Sequence, residues 1–311
     1  MNKTLLAHAA AAAALSAGTA VVATRFVIGE TDPISLVFFR YLVSIICFVP
    51  ILPMLWPQSG LDAAEYAKIA GFGVLFFVLF PWTFNAALQC NPAARGAVGL
   101  ATIPIQTLLV AAIFGREQLS ISKAVGVLLA FSGIAVAFGG AAFGRDTGSY
   151  LLGDCLILLS GLCAAIYSVF GRSTLMRHGP LFVTALAMVF AVAALIPVVV
   201  LPAVALKGSA AALPAFSFSG WMAVLFLGSF AGAVQFSLYM WALRWLPPTT
   251  TTLYLTLNPI TAMVLGIVLL GERLTIELIL GLVLVLIGIL VGSGLGSTWM
   301  RGVSVKASPE H

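Results

Sequence analysis

Residues 87–133 read ALQCNPAARGAVGLATIPIQTLLVAAIFGREQLSISKAVGVLLAFSG, and residues 242–288 read ALRWLPPTTTTLYLTLNPITAMVLGIVLLGERLTIELILGLVLVLIG. The two stretches match at a constant offset of 155 residues. Ala87–Leu88 pairs with Ala242–Leu243, Pro92 with Pro247, Pro104 with Pro259 and Glu117 with Glu272. Leu119 pairs with Leu274, Gly126 with Gly281 and Gly133 with Gly288. Apolar stretches share Leu and Val by chance, but not prolines, a glutamate and glycines in one register. The chain therefore carries an internal duplication.

Composition sets the class in which that duplication acts. The chain has 311 residues, of which 61% are hydrophobic and 8% charged, with a mean hydropathy of +1.13. Ordinary soluble domains carry about 25% charged residues, whereas apolar runs of roughly 20 residues span membranes. The net charge of +5 comes from basic residues scattered singly between apolar runs, so a nucleic-acid partner is not expected. Cys47, Cys90, Cys155 and Cys163 lie in or beside apolar runs at unrelated spacings and suggest neither disulfides nor a metal site. His8, His178 and His311 stand apart without a catalytic motif, so neither an enzyme nor a bound cofactor is expected.

Ten candidate spans follow, at roughly 4–28, 33–56, 66–88, 92–114, 121–141, 150–172, 181–206, 219–243, 248–270 and 276–296. The first apolar run continues to Ile28, too long for a signal-peptide core of roughly 7–15 residues. Continuous rather than alternating hydrophobicity selects helices over a barrel. The expected fold is an all-α integral membrane protein, with ten transmembrane helices as two inverted five-helix repeats. Its divisions are residues 1–145, residues 146–296 and a disordered cytoplasmic tail at 297–311. Inversion follows from the odd number of spans in each half.

With the amino terminus inside, nine basic residues fall in inner links or tails and five in outer ones, leaving Arg40 within a span. Both termini are then cytoplasmic, Glu117 lies at the inner face and Glu272 at the outer. Such repeats place a site near the midplane, opened to each side in turn.

The doubled pattern Ala-Leu-x3-Pro, the following helix proline, Glu-x-Leu and Gly-x6-Gly resemble the drug/metabolite transporter superfamily and its EamA-type ten-helix transporters. Gly153-Asp154 opens the second half in the family manner, and Arg40, seven residues past Pro33, resembles the arginine typical of the second helix. The resemblance implies a ten-helix inner-membrane protein with a central cavity that moves small metabolites, often amino acids or their relatives, out of the cell. The alternatives are a non-transporting membrane sensor or scaffold and a proton-coupled multidrug exporter. No Asp or Glu falls deep inside a span, which favours a facilitator or exchanger over proton coupling.

Polar side chains in apolar spans face the bundle interior, because exposing them to lipid is costly. Trp82 and Asn85 are three apart; Thr102 and Gln106, Gln235 and Tyr239, and Tyr254 and Asn258 are each four apart. With Tyr167, and with Ser16 and Thr19 from the first span, they make a candidate substrate-binding cavity, set against ordinary interhelical hydrogen bonding. Pro104 and Pro259 are candidate hinges. Glu117 and Glu272 are read as turn-holding residues, the other role open to them being a gate. Arg40 is read as a structural ion pair with Glu30, Asp32 or Asp154, although it can also meet a substrate carboxylate or snorkel outward. Gly126, Gly133, Gly281 and Gly288 are expected to bring the fifth and tenth spans into close contact, leaving the protein a monomer or a homodimer. The matched positions build the scaffold; selectivity is expected at mismatches such as Asn258 against Ile103 and Tyr239 against Phe84.

Overall fold

The computed structural model describes residues 17–55, 60–116, 120–142, 149–200, 216–238 and 257–292, and these fold into helices without a strand. Ser16, Glu117, Tyr239, Thr249 to Thr252, Tyr254 and the tail lie outside the described residues. Among the described residues, five helices are long and apolar enough to cross a membrane: Ala63–Cys90, Ala93–Ile113, Tyr150–His178, Pro180–Val199 and Phe218–Leu238. Five shorter apolar helices accompany them: Ala17–Val27, Pro33–Phe48, Ile121–Ala137, Asn258–Leu270 and Ile276–Val291. Large apolar side chains such as Leu128, Phe131, Val268 and Leu280 remain exposed, as suits surfaces that face lipid rather than water.

In chain order we label α1 (Ala17–Val27), α2 (Pro33–Phe48), α3 (Leu52–Leu55), α4 (Ala63–Val74) and α5 (Phe80–Cys90). Next come α6 (Ala93–Leu100), α7 (Ile103–Ile113), α8 (Ile121–Ala142), α9 (Ser149–His178) and α10 (Pro180–Val200). The last three are α11 (Phe218–Gly228), α12 (Leu257–Leu270) and α13 (Ile276–Gly292).

Local chemistry explains most boundaries. The Asp32 carboxylate accepts from the Ile34 and Ser35 amides, each at 3.0 Å, and Pro33 occupies the first turn where no amide partner is needed. The expected second span ran to residue 56, but α2 stops at Phe48 and a turn leads into α3. Pro50 and Pro53 withhold two amides there, so the helical ladder cannot run through. Gly115 and Gly271, at φ 66° and 64°, end α7 and α12 alike in the left-handed region. They stand one residue out of the 155-residue register, because the first copy has Arg116 where the second has Gly271 and its glycine falls one position earlier.

Pro104 was expected in mid-helix. Instead the chain turns at Ala101 and Thr102, and Pro104 falls in the first turn of α7. The proline offers no amide to the Leu100 carbonyl, and the Thr102 amide bonds Gly99 at 3.1 Å, three residues back.

The third and eighth spans share a feature that the sequence did not reveal. Leu75–Leu79 forms a π-helical segment between α4 and α5, and Ser229–Val234 forms one after α11. Under the 155-residue offset, Leu75 to Leu79 correspond to Phe230 to Val234. The Phe80 amide bonds Leu75 and the Gln235 amide bonds Phe230, each five residues back. Pro81 leaves the Phe77 carbonyl without its usual donor in the first case. In the second, the buried Ser44 hydroxyl donates to the Gly228 carbonyl at 2.8 Å.

The contact between α8 and α13 is the most extensive between helices among the described residues. The expected glycine packing is its basis. A Cβ on Gly133 would stand 2.6 Å from the Gly281 carbonyl oxygen, and one on Gly281 would stand 2.6 Å from that of Gly133. One on Gly288 would meet the Gly126 oxygen at 2.6 Å. The helices therefore cross antiparallel at backbone contact. Exchanging the two copies turns the Gly126–Gly288 contact into the Gly281–Gly133 contact.

Candidate functional site

Polar groups fix both ends of the bundle. At one end, the Asp154 carboxylate of α9 accepts from Arg95 Nε at 2.8 Å and Nη2 at 2.7 Å. Asn91 Nδ2 donates to the same carboxylate at 2.8 Å, and Arg95 lies 5.2 Å from the Tyr150 ring. The Glu272 carboxylate accepts from the Ala93 and Ala94 amides at 2.8 and 3.2 Å. A carboxylate on these two free amides satisfies the start of α6 and suits its dipole. Glu272 thus does more than hold a turn: its amide bonds Gly266 in its own turn, and its carboxylate holds the start of a helix 179 residues away. At the same end, Glu30 accepts from the Ser217 amide and hydroxyl, both at 2.8 Å, and ties the α1–α2 turn to α11.

The 28-residue helix Ala63–Cys90 separates this end from the other. There Glu65 meets Arg177 Nη1 at 3.0 Å and His178 Nε2 at 2.9 Å. Arg177 is 72% exposed, so its pair with Glu65 contributes little to stability.

Between the ends lie the residues proposed for substrate. Gln106 Nε2 donates to Thr102 Oγ1 at 2.9 Å, so these two share a face as their spacing required. That face presses on α9 at Gly161, where a Cβ would stand 2.8 Å from Gln106 Nε2. Farther along α9, Tyr167 stacks on Phe76 with ring centroids 4.3 Å apart. Phe72 meets Tyr167 edge-on at 5.8 Å and Phe236 meets Phe76 at 5.9 Å. The aromatic wall thus joins the first π segment, through Phe76, and Phe236 just past the second to α9. Trp82 packs half-buried at the edge of the same cluster.

Asn85, buried on α5, donates from Nδ2 to the Pro33 carbonyl at 3.3 Å and so reaches α2. Asn258 stands where α1 and α12 touch; a Cβ on Gly18 would lie 2.7 Å from its carbonyl oxygen. No hydrogen bond joins Asn85 or Asn258 to the other proposed residues among those described. Pro259 is buried in the first described turn of α12.

Five amide oxygens, Asn85 Oδ1, Asn91 Oδ1, Gln106 Oε1, Gln235 Oε1 and Asn258 Oδ1, are buried without a hydrogen-bond partner among the described residues, and all but that of Asn91 belong to the proposed substrate residues. Such groups in an apolar interior are costly, so each calls for a chemical explanation rather than counting as packing noise.

No ion pair joins Arg40 to Glu30, Asp32 or Asp154 among the described residues. Asp154 is held by Arg95, Glu30 by Ser217, and Asp32 caps α2. Sequence reasoning missed the Arg95–Asp154 pair, the Glu272 cap and the π segments. Pro81, Gly228 and Gly232 were the local signs of the last.

The EamA-like transporter family model matches the chain twice, over residues 5–139 and 151–293. An uncharacterised transporter of Archaeoglobus fulgidus is 26% identical over 274 residues, covering 88% of this chain and 93% of the relative. The uncharacterised inner membrane transporter YedA of Escherichia coli K12 is 32% identical over 191 residues, covering 60% of this chain and 57% of its own. A crystal structure with 18% identity superposes with a TM-score of 0.65, covering 94% of this chain and 99% of that one, and supports the fold alone. Apolar helices, glycine-packed spans and a polar interior thus occur in a chain that the family model matches along most of its length: this is a membrane protein of the EamA-like transporter family.

Proposed function

We propose that this protein carries small metabolites with amino-acid-like polar groups out of the cell through a central site exposed to each side in turn. The two moving halves are residues 1–145 and 146–296, five spans each and inverted relative to one another, with both termini cytoplasmic. The reciprocal glycine contacts of α8 and α13 and the π segments at equivalent positions support the inversion. π segments recur at functional sites, and here they sit beside the aromatic wall.

One observation carries the substrate reading. Asn85 and Gln106 from the first half and Gln235 and Asn258 from the second each hold a buried oxygen without a donor among the described residues. Donors on a substrate, an ammonium group above all, complete that set, and the Phe76–Tyr167 wall takes the side chain. The described acidic residues stand at or near helix ends rather than deep in a span, which supports a facilitator or exchanger over a proton-driven pump.

The test is export of labelled amino acids from cells making the wild type or the Asn85→Ala, Gln235→Ala and Asn258→Ala variants. The site predicts a fall of about tenfold or more in each folded variant, the cost of one lost charge-assisted hydrogen bond. Normal export by all three would place the site elsewhere. Saturable binding without flux would favour a sensor.

A further inference from the structure

Arg40 is the eighth residue of α2, about 10 Å along the helix from Pro33 at roughly 1.5 Å per residue. Its neighbours on the same face, Leu36, Val37 and Ser44, are 0% exposed, so that face looks into the bundle rather than into lipid. The turn it starts is fastened to the second π segment, since the Ser44 hydroxyl bonds both the Arg40 and Gly228 carbonyls. Tyr41, next along, meets Phe77 of the first π segment edge-on at 5.2 Å. Arg40 therefore stands on the helix that touches both π segments, within the half-buried interior.

Its Nε is sealed from solvent and has no hydrogen-bond partner among the described residues, the guanidinium lying 5.5 Å from the Tyr41 ring. The acidic groups near enough in sequence or fold to serve it are engaged with Ser217, with the start of α2 and with Arg95. A guanidinium cannot shed its proton to escape an apolar site, as a lysine or histidine can. What it does have is a planar fork matched to a carboxylate. The amide oxygens of Asn85, Gln106, Gln235 and Asn258, likewise buried without a partner among the described residues, offer acceptors. One fixed cation and several acceptors are the complement of a zwitterion.

We infer that Arg40 receives the carboxylate of the transported molecule, and that the carrier selects amino acids over their uncharged-carboxyl analogues through this residue. The inference rests on the proposed amino-acid carrier function and deepens it. It makes Arg40 a specificity-determining residue of the site, not a structural ion pair.

The test uses the full chain in proteoliposomes loaded with the twenty common L-amino acids, labelled, and then with the carboxamides of those that leave. Wild type should move the acids at least about tenfold faster than their carboxamides, the discrimination expected when a buried charged donor loses its partner. Arg40→Gln should lose that advantage by slowing the acids far more than the carboxamides, and Arg40→Lys should restore part of it. Equal transport of acids and carboxamides by wild type overturns the inference even if no variant folds. Equal acid flux in wild type and Arg40→Gln also overturns it, while the carrier function stands. Absence of any amino-acid flux in wild type overturns both.

Discussion

The Glu272 carboxylate accepts a hydrogen bond from the Ala93 amide at 2.8 Å, across 179 residues of sequence. A second bond from Ala94 at 3.2 Å makes the glutamate a cap for α6, supplied by the opposite half of the chain. Losing such a cap costs about 0.5–2 kcal/mol. Glu272→Ala should lower the stability by that amount, read as a lower thermal midpoint in detergent, and Glu272→Gln by less. The same substitution should speed labelling of Cys90, a half-exposed residue one turn before the cap, by a membrane-impermeant maleimide. Unchanged labelling would show that the cap does not help close this end.

Arg95 and Asp154 carry the stiffest polar contact at that end, with side chains only 12% and 5% exposed. Removing one partner strands the other, which costs about 3–5 kcal/mol for a buried pair. Asp154→Asn should therefore cut the yield of folded protein sharply. Replacing the pair together, Arg95→Met with Asp154→Leu, should be far milder. Denaturant unfolding in mixed micelles measures both; equal damage by the single and double changes would contradict the geometry.

The α8–α13 crossing admits no side chain at Gly281, where a Cβ would lie 2.5 Å from that of Ala137 and 2.6 Å from the Gly133 oxygen. Gly281→Val should destabilise by about 1–3 kcal/mol or more through overpacking, and Gly281→Ala by less. Gly71, with nothing within 4 Å of its would-be Cβ, is the control. Gly71→Ala should be neutral or gain up to about 1 kcal/mol of helix propensity. Thermal unfolding of the set in detergent gives the ranking.

The elements that sequence made legible are those set by local pattern. Small residues seven apart announced the Gly133–Gly281 contact, and a spacing of four placed Thr102 beside Gln106. The constant offset exposed the doubling before any helix was placed. What stayed hidden depends on partners far along the chain. Nothing near Asp154 names Arg95, 59 residues earlier, and nothing near Glu272 names Ala93. The π segments shift hydrogen bonds by one residue, a change that hydropathy does not register. Arg40 was the instructive miss. Three nearby carboxylates made an ion pair the natural expectation, and each is committed to a cap or pair whose geometry only the fold reveals.

The most direct test of a carrier with a two-sided site is counterflow in proteoliposomes without a pH gradient or membrane potential. Vesicles loaded with an unlabelled amino acid that cells expressing the protein export should take up a labelled trace of it. That uptake should saturate and overshoot equilibrium, and empty vesicles should show none. Uptake that appears only when a proton gradient is imposed would contradict a facilitator or exchanger. No uptake by folded protein under either condition would contradict transport itself.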